Sequence, residues 1–140
     1  MITREQLRMI EQYADALFKE YDIDISFQDL YRGTHFFDRL NDPRNRTPIT
    51  IFDLKTIFRK VSRKYGDELS MESPGAEGVL KDMESDVNIP FILKWDAANR
   101  ELDLVPKSIM KKRGFVAKDR EYTVELSLKS IFESIIKNVV

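Results

Sequence analysis

The chain has 140 residues, 42% hydrophobic and 34% charged, a balance expected of one soluble domain with a substantial core. It has no cysteine, which excludes disulfides and thiolate metal sites, and a single histidine, which leaves a zinc ion only carboxylates to complete its shell. The formal net charge of -1 hides a segregation into blocks of opposite sign.

From Arg32 to Lys64 there are nine bases against Asp38, Asp42 and Asp53, and from Asp67 to Asp103 ten acids against Lys81, Lys94 and Arg100. From Lys107 to Arg120 the sign reverses again, with six bases against Asp119. If the first and third blocks meet in space, they form a positive surface able to steer a polyanion. If they do not, each is a solvated face balanced by the acidic block. The N-terminus lacks a signal-peptide core and no long apolar run exists, so neither a membrane span nor export is expected. The expected location is the cytoplasm, that of the host if the chain is phage-encoded.

Thr3 and Gln6 form a capping-box pattern, and Leu7, Ile10, Ala14, Leu17, Phe18 and Tyr21 follow at helical spacing, which predicts a helix from about Arg4 to Tyr21. Ser26 and Asp29 give a second cap signal ahead of Phe27, Leu30 and Tyr31, with Gly33 weakening that helix before His35. Residues 41–48 read as a loop from two prolines and several turn formers. Thr50 and Asp53 repeat the capping box, with Ile49 and Leu54 in the staple positions. Leu54, Ile57, Phe58, Val61 and Tyr65 make the apolar stripe of a third helix, and Gly66 is placed to end it. Ser73-Pro74 predicts a fourth helix through Val79, Leu80 and Met83.

The pattern changes at Asn88-Ile89-Pro90. Phe91, Leu93 and Trp95, then Leu102 and Leu104, alternate with polar residues, which predicts a hairpin turning through 97–100. Further strands are expected over Lys107–Lys112 and Glu121–Leu126. A closing helix is expected from Leu128, Ile131, Phe132, Ile135, Ile136 and Val139. The predicted architecture is α+β in a single domain, 1–140: a mainly helical layer over 1–86, then a four-stranded antiparallel sheet and C-terminal helix over 87–140.

His35 and Arg39 are four residues apart, so a helix stacks imidazole and guanidinium on one face. A group that moves protons near neutral pH would then lie beside a permanent cation suited to phosphate. The bland alternative is a histidine packed beside Phe36 or Phe37, with Arg39 paired to Asp38 or Asp42. Lys107, Lys111 and Arg113 share one face of the expected strand and fit a phosphate track, or they guard an edge strand against aggregation. Lys94 points away from Leu93 and Trp95, towards substrate or into a cross-strand pair with Asp103 or Glu101. Phe115 and Tyr122 are candidates for base stacking or for the core. The Asp82–Asp86 acids lack the spacing of a calcium loop, and no phosphate-binding glycine motif or nucleophile elbow is present, so no cofactor or metal is expected.

The segment Thr34-His35-Phe36-Phe37-Asp38-Arg39, a loop, Pro48-Ile49-Thr50, a long basic helix and then a meander resemble the small phage-type ribonucleases of the barnase–EndoU–colicin–RelE group. The RelE/RegB-like endoribonucleases are the nearest form, over residues 25 to 126. The resemblance implies helices on a four-stranded antiparallel sheet and metal-independent cleavage of RNA by attack of the 2′-hydroxyl. By position it implies a catalytic role for His35 and a phosphate or orienting role for Arg39, and its general layout suggests the sheet cations Lys94, Lys107 and Lys111. With the residues singled out above, the expected site has His35, Arg39 and Lys107 as catalytic and Arg44, Arg46, Lys94, Lys111, Arg113 and Tyr122 as substrate-binding. RegB-like cleavage is associated with a second histidine, which this chain lacks. Arg, Lys or Tyr would supply the missing acid or base, or the fold serves binding alone. The rival expectation is a non-catalytic phage or bacterial interaction protein that binds a host or virion protein through a charged surface, the acidic 67–103 stretch.

Overall fold

A computed structural model of the protein describes residues 1–27, 35–45, 47–125 and 135–136. The first helix, α1 (Arg4–Phe18), starts as its cap predicts. Thr3 Oγ accepts from the Gln6 amide at 3.1 Å, and Gln6 Oε1 accepts from the Thr3 amide at 2.9 Å. A single 3-10 turn, Lys19–Tyr21, follows, and Asp22 in the left-handed region (φ 56°) redirects the chain. That turn launches β1 (Ile23–Ile25), a strand too short to leave a periodic signal.

The expected cap at Ser26–Asp29 leads into residues 28–34, which lie outside the described residues, as does Arg46. The His35 segment is the short helix α2 (His35–Leu40), with Phe36 and Leu40 buried. The long basic helix α3 (Ile51–Ser70) begins with the Thr50–Asp53 capping box and buries Leu54, Ile57, Phe58 and Val61. Gly66 does not end it. The helix continues one turn to Ser70, and Gly66 is buried where a Cβ would run into the ring of Tyr21. The glycine is there for a close approach between α3 and the turn after α1.

The expected fourth helix is instead a strand, β2 (Glu77–Asp82). Gly75 at φ 91° and the Ala76 amide bonded to the Ser73 carbonyl make a turn, and Gly78, Val79 and Leu80 are then buried in succession. Consecutive burial is the mark of a strand covered on both faces, and over this length it mimics helical spacing. The hairpin β3 (Val87–Asp96) and β4 (Glu101–Pro106) has the expected pairing, with Leu93 opposite Leu104 and Lys94 opposite Asp103. Two further strands are β5 (Met110–Lys111) and β6 (Arg120–Val124).

The architecture is α+β, but the sheet is not a four-stranded antiparallel meander. Its order is β1-β4-β3-β2-β6, with β5 on β3, and the β1–β4 and β2–β6 pairs are parallel. Two of its strands, β1 and β2, come from the half of the chain expected to be helical. The expected strand over Lys107–Lys112 shrinks to two residues, and Ile109 is buried while Lys107 and Lys111 are not. Of the closing helix, Ile135 and Ile136 are helical and exposed; the rest lies outside the described residues.

One core joins the helices to the sheet. Phe18, Phe27, Phe36, Phe58 and Phe91 are fully buried, each burial stabilising by roughly 2–3 kcal/mol relative to exposure. Phe27 stacks at a tilt on Phe36 of α2, ring centres 4.8 Å apart, and meets Phe58 of α3 edge-on at 6.0 Å. These contacts anchor the helix that carries His35 and Arg39.

Candidate functional site

The first and third basic blocks converge. An open groove of about 770 Å³ is lined on one side by Arg39, Asp42, Arg44 and Asn45, and on the other by residues 108–113. Lys111, Lys112 and Arg113 add to the two arginines, so among the described residues five cations face one carboxylate. The groove lies within the size range of ligand sites.

Its two walls are stitched together by one side chain. Asn45 Oδ1 accepts from the Lys111 amide at 3.0 Å, and Asn45 Nδ2 donates to the Arg39 carbonyl at 3.0 Å. Behind the second wall, the buried Asn88 donates from Nδ2 to the Asp86 and Lys112 carbonyls at 3.0 and 3.1 Å. The Lys112 amide also bonds the Asp86 carbonyl at 2.9 Å. The cation-bearing backbone is thus fixed before any ligand arrives, which lowers the ordering cost of binding.

The cations are in different states. Arg44 grips Asp42 with both Nε and Nη2, at 3.1 and 2.7 Å, and Arg39 approaches the same carboxylate at 3.7 Å. The Arg44 hydrogen bonds hold the Asp42 carboxyl at about 2, below the usual range. Lys111 Nζ lies 3.4 Å from Asp53, the capping acid of α3. Lys112 and Arg113 are exposed and have no ion-pair partner among the described residues. They are the charges most readily given to an incoming anion. Among the described residues, no aromatic side chain lines the groove. Its described lining is a cation-rich surface, the chemistry that attracts an anionic ligand.

The other residues singled out from the sequence fall elsewhere. His35 opens α2 on the surface, one turn from Arg39, and does not itself line the groove. Lys107 pairs with Glu77 at 2.6 Å, outside the groove. Lys94 is exposed on β3, opposite Asp103. Tyr122 is a core residue, edge-on to Tyr65 at 5.2 Å and tilted on Phe91, and its hydroxyl donates to Glu72 at 3.3 Å. Burial, with Glu72 nearby, pushes that phenol up to about 12, and no ring face is open to a base. Phe115 is half-buried, its carbonyl accepting from Lys81 Nζ.

A second cluster was not foreseen. Asp24 of β1 and Glu101 and Asp103 of β4 bring carboxylate oxygens within 4.8 Å of one another, and Asp15 of α1 accepts from the Ile25 amide at 2.6 Å. Burial, followed by the nearby Asp24, pushes Asp103 up to about 6 and also raises Glu101. Asp15 is raised further, by burial and by its hydrogen bond with Asp24. Asp103 Oδ1 is buried without a hydrogen-bond partner among the described residues. The parallel β1–β4 pairing places Asp24 beside Asp103, a juxtaposition of residues 79 apart that no local pattern announces.

Among the described residues, no helix is long and apolar enough to cross a membrane. No family model, curated protein or solved structure matches the chain.

Proposed function

We propose that the protein binds single-stranded RNA along the groove between α2 and the 108–113 segment, and cleaves it without a metal at the His35 edge. The observation that carries the binding part is the convergence of Arg39 and Arg44 with Lys111, Lys112 and Arg113 on one concave, prefixed surface. Such an array neutralises consecutive phosphates and gains from release of their counterions. The described lining holds cations and no rings, which favours contact with the backbone over contact with bases.

The cleavage part rests on the helix geometry of His35. Four residues before Arg39, its imidazole shares the face of α2 that leads to the groove, with Cβ atoms about 5–6 Å apart. In this reading neutral His35 takes the 2′-hydroxyl proton, the 2′-oxygen attacks the adjacent phosphorus, and Arg39 stabilises the charge on the phosphorane. The 5′-oxygen leaves with a proton from a lysine of the groove or from water, giving a 2′,3′-cyclic phosphate.

The test is incubation of a fluorescent 20-nucleotide RNA with the protein in EDTA. Binding with cyclic-phosphate products, abolished by His35→Ala while binding persists, supports both parts. Binding without cleavage leaves an RNA-binding module. No binding at low salt contradicts the reading.

A further inference from the structure

Trp95, the only tryptophan in the chain, is the last residue but one of β3 and has 55% of its surface exposed. It is held there. The following turn is closed by Asp96, whose carboxylate accepts from the Ala98 and Asn99 amides at 3.1 and 3.2 Å and from Asn99 Nδ2 at 2.8 Å. An exposed indole on a rigid hairpin is ready to be covered with little ordering cost.

Trp95 lines a cleft of about 410 Å³ between the hairpin, the turn after α1 and the last part of α3. Tyr21 also lines it, seated against Gly66, where any Cβ would displace the ring. Around these two rings stand Glu20, Asp22, Asp67 and Glu101, with Arg100 as the one base among the described lining residues. A neighbouring cleft of about 450 Å³ shares Asp22 and Glu101 and adds Asp15 and Asp24, with Lys19 as its base, so four acids there face one lysine among the described residues.

We propose that the Trp95–Tyr21 cleft docks an arginine or lysine side chain from a basic segment of a partner protein. A guanidinium or ammonium entering it lies against aromatic faces and meets carboxylates at once, contacts that reinforce each other where water is excluded. Arginine fits better, because its plane stacks on a ring while its edge takes two hydrogen bonds. Glu101 is raised first by its burial and then by the charges of Asp24, Asp96 and Asp22, and an incoming cation offsets that crowding of negative charge. A metal ion at the Asp24–Glu101–Asp103 trio would use the acids alone and leave the exposed indole and Tyr21 without a role. The cleft shares no lining residue with the basic groove, so the proposal stands independently of the RNA reading.

Because Trp95 is the sole tryptophan, its emission reports on the cleft directly. The probe is an acetylated, amidated (Arg-Ala)4 peptide, with (Glu-Ala)4 as its control and calcium chloride as the competing cation. The expected result is a saturable change in emission with the arginine peptide only. Affinity falls at least tenfold in Asp67→Asn/Glu101→Gln, which keeps the fluorophore, and by about tenfold in Trp95→Ala read by calorimetry. Lys112→Ala/Arg113→Ala binds the peptide as the parent does. The variants change surface or half-exposed groups, and circular dichroism verifies their fold. Absence of peptide binding, or equal affinity in the Asp67→Asn/Glu101→Gln protein, overturns the proposal. So does a response to calcium without a response to peptide, which would assign the acids to a metal ion.

Discussion

Asn45 accepts the Lys111 amide proton and donates to the Arg39 carbonyl, both at 3.0 Å, and so joins two basic segments more than sixty residues apart in sequence. The half-buried amide is therefore the joint of the groove. Asn45→Ala removes both bonds and leaves the Lys111 amide to find water. A loss of about 1–2 kcal/mol is expected in urea denaturation. RNA binding should weaken by more than this small loss of folded protein explains, because the two walls lose their fixed spacing. Fluorescence anisotropy at a temperature where the variant is fully folded separates the two effects.

His35 is exposed and carries none of the core, so His35→Ala should leave the denaturation midpoint unchanged. RNA cleavage, followed on a gel as cyclic-phosphate products, should drop by roughly 100-fold or more if the imidazole is the base. Arg39→Ala should reduce both cleavage and binding, since its guanidinium lines the groove. Unchanged cleavage in His35→Ala would remove that residue from the mechanism and leave binding untouched.

The acidic cluster makes stability depend on pH in a definite direction. Asp103 ionises at about 6 in the folded protein against 3.8 ordinarily, chiefly through burial. Between those values the folded state holds a proton that the unfolded state has lost, so stability falls as pH rises through this window. Asp15 and Glu101 are raised as well and extend the trend in the same sense. The urea midpoint should increase from pH 7 to pH 5, and Asp103→Asn should flatten that dependence. A midpoint that decreases from pH 7 to pH 5 would contradict the raised carboxylates.

Gly66→Ala tests the close approach of Tyr21 to α3. In a helix interior alanine is intrinsically better than glycine by about 1 kcal/mol. Here its Cβ meets the Tyr21 ring, and the net effect should be destabilising by about 1–3 kcal/mol as overpacking displaces the aromatic. Thermal unfolding measures it; stabilisation would mean that Tyr21 can move freely.

The readable parts of this fold are those governed by neighbours in sequence. Both capping boxes and the 91–104 hairpin follow from residues a few positions apart, and the structure has them where the pattern puts them. What failed depends on distant partners. The β2 segment carries helix-like spacing because both of its faces are covered, and Gly66 resembles a terminator because Tyr21 leaves no room for a side chain. The parallel pairs β1–β4 and β2–β6 join segments that no hairpin rule connects. The candidate site divides in the same way. Charge segregation exposed both basic blocks, whereas their meeting across Asn45 and the acids gathered by β1 and β4 are properties of the tertiary fold.

The central claim is that Lys112 and Arg113, free of ion-pair partners among the described residues, neutralise phosphates in the groove. The most direct measurement is RNA affinity by anisotropy across 50 to 300 mM KCl, for the parent and for Lys112→Ala, Arg113→Ala and Lys107→Ala. Each of the first two should weaken binding and reduce the slope of log K against log salt by about 0.7, the value of one phosphate contact on a single strand. Lys107→Ala, outside the groove and paired with Glu77, should leave the slope unchanged. A slope unaffected by Lys112→Ala and Arg113→Ala, or a loss with Lys107→Ala alone, would contradict the account.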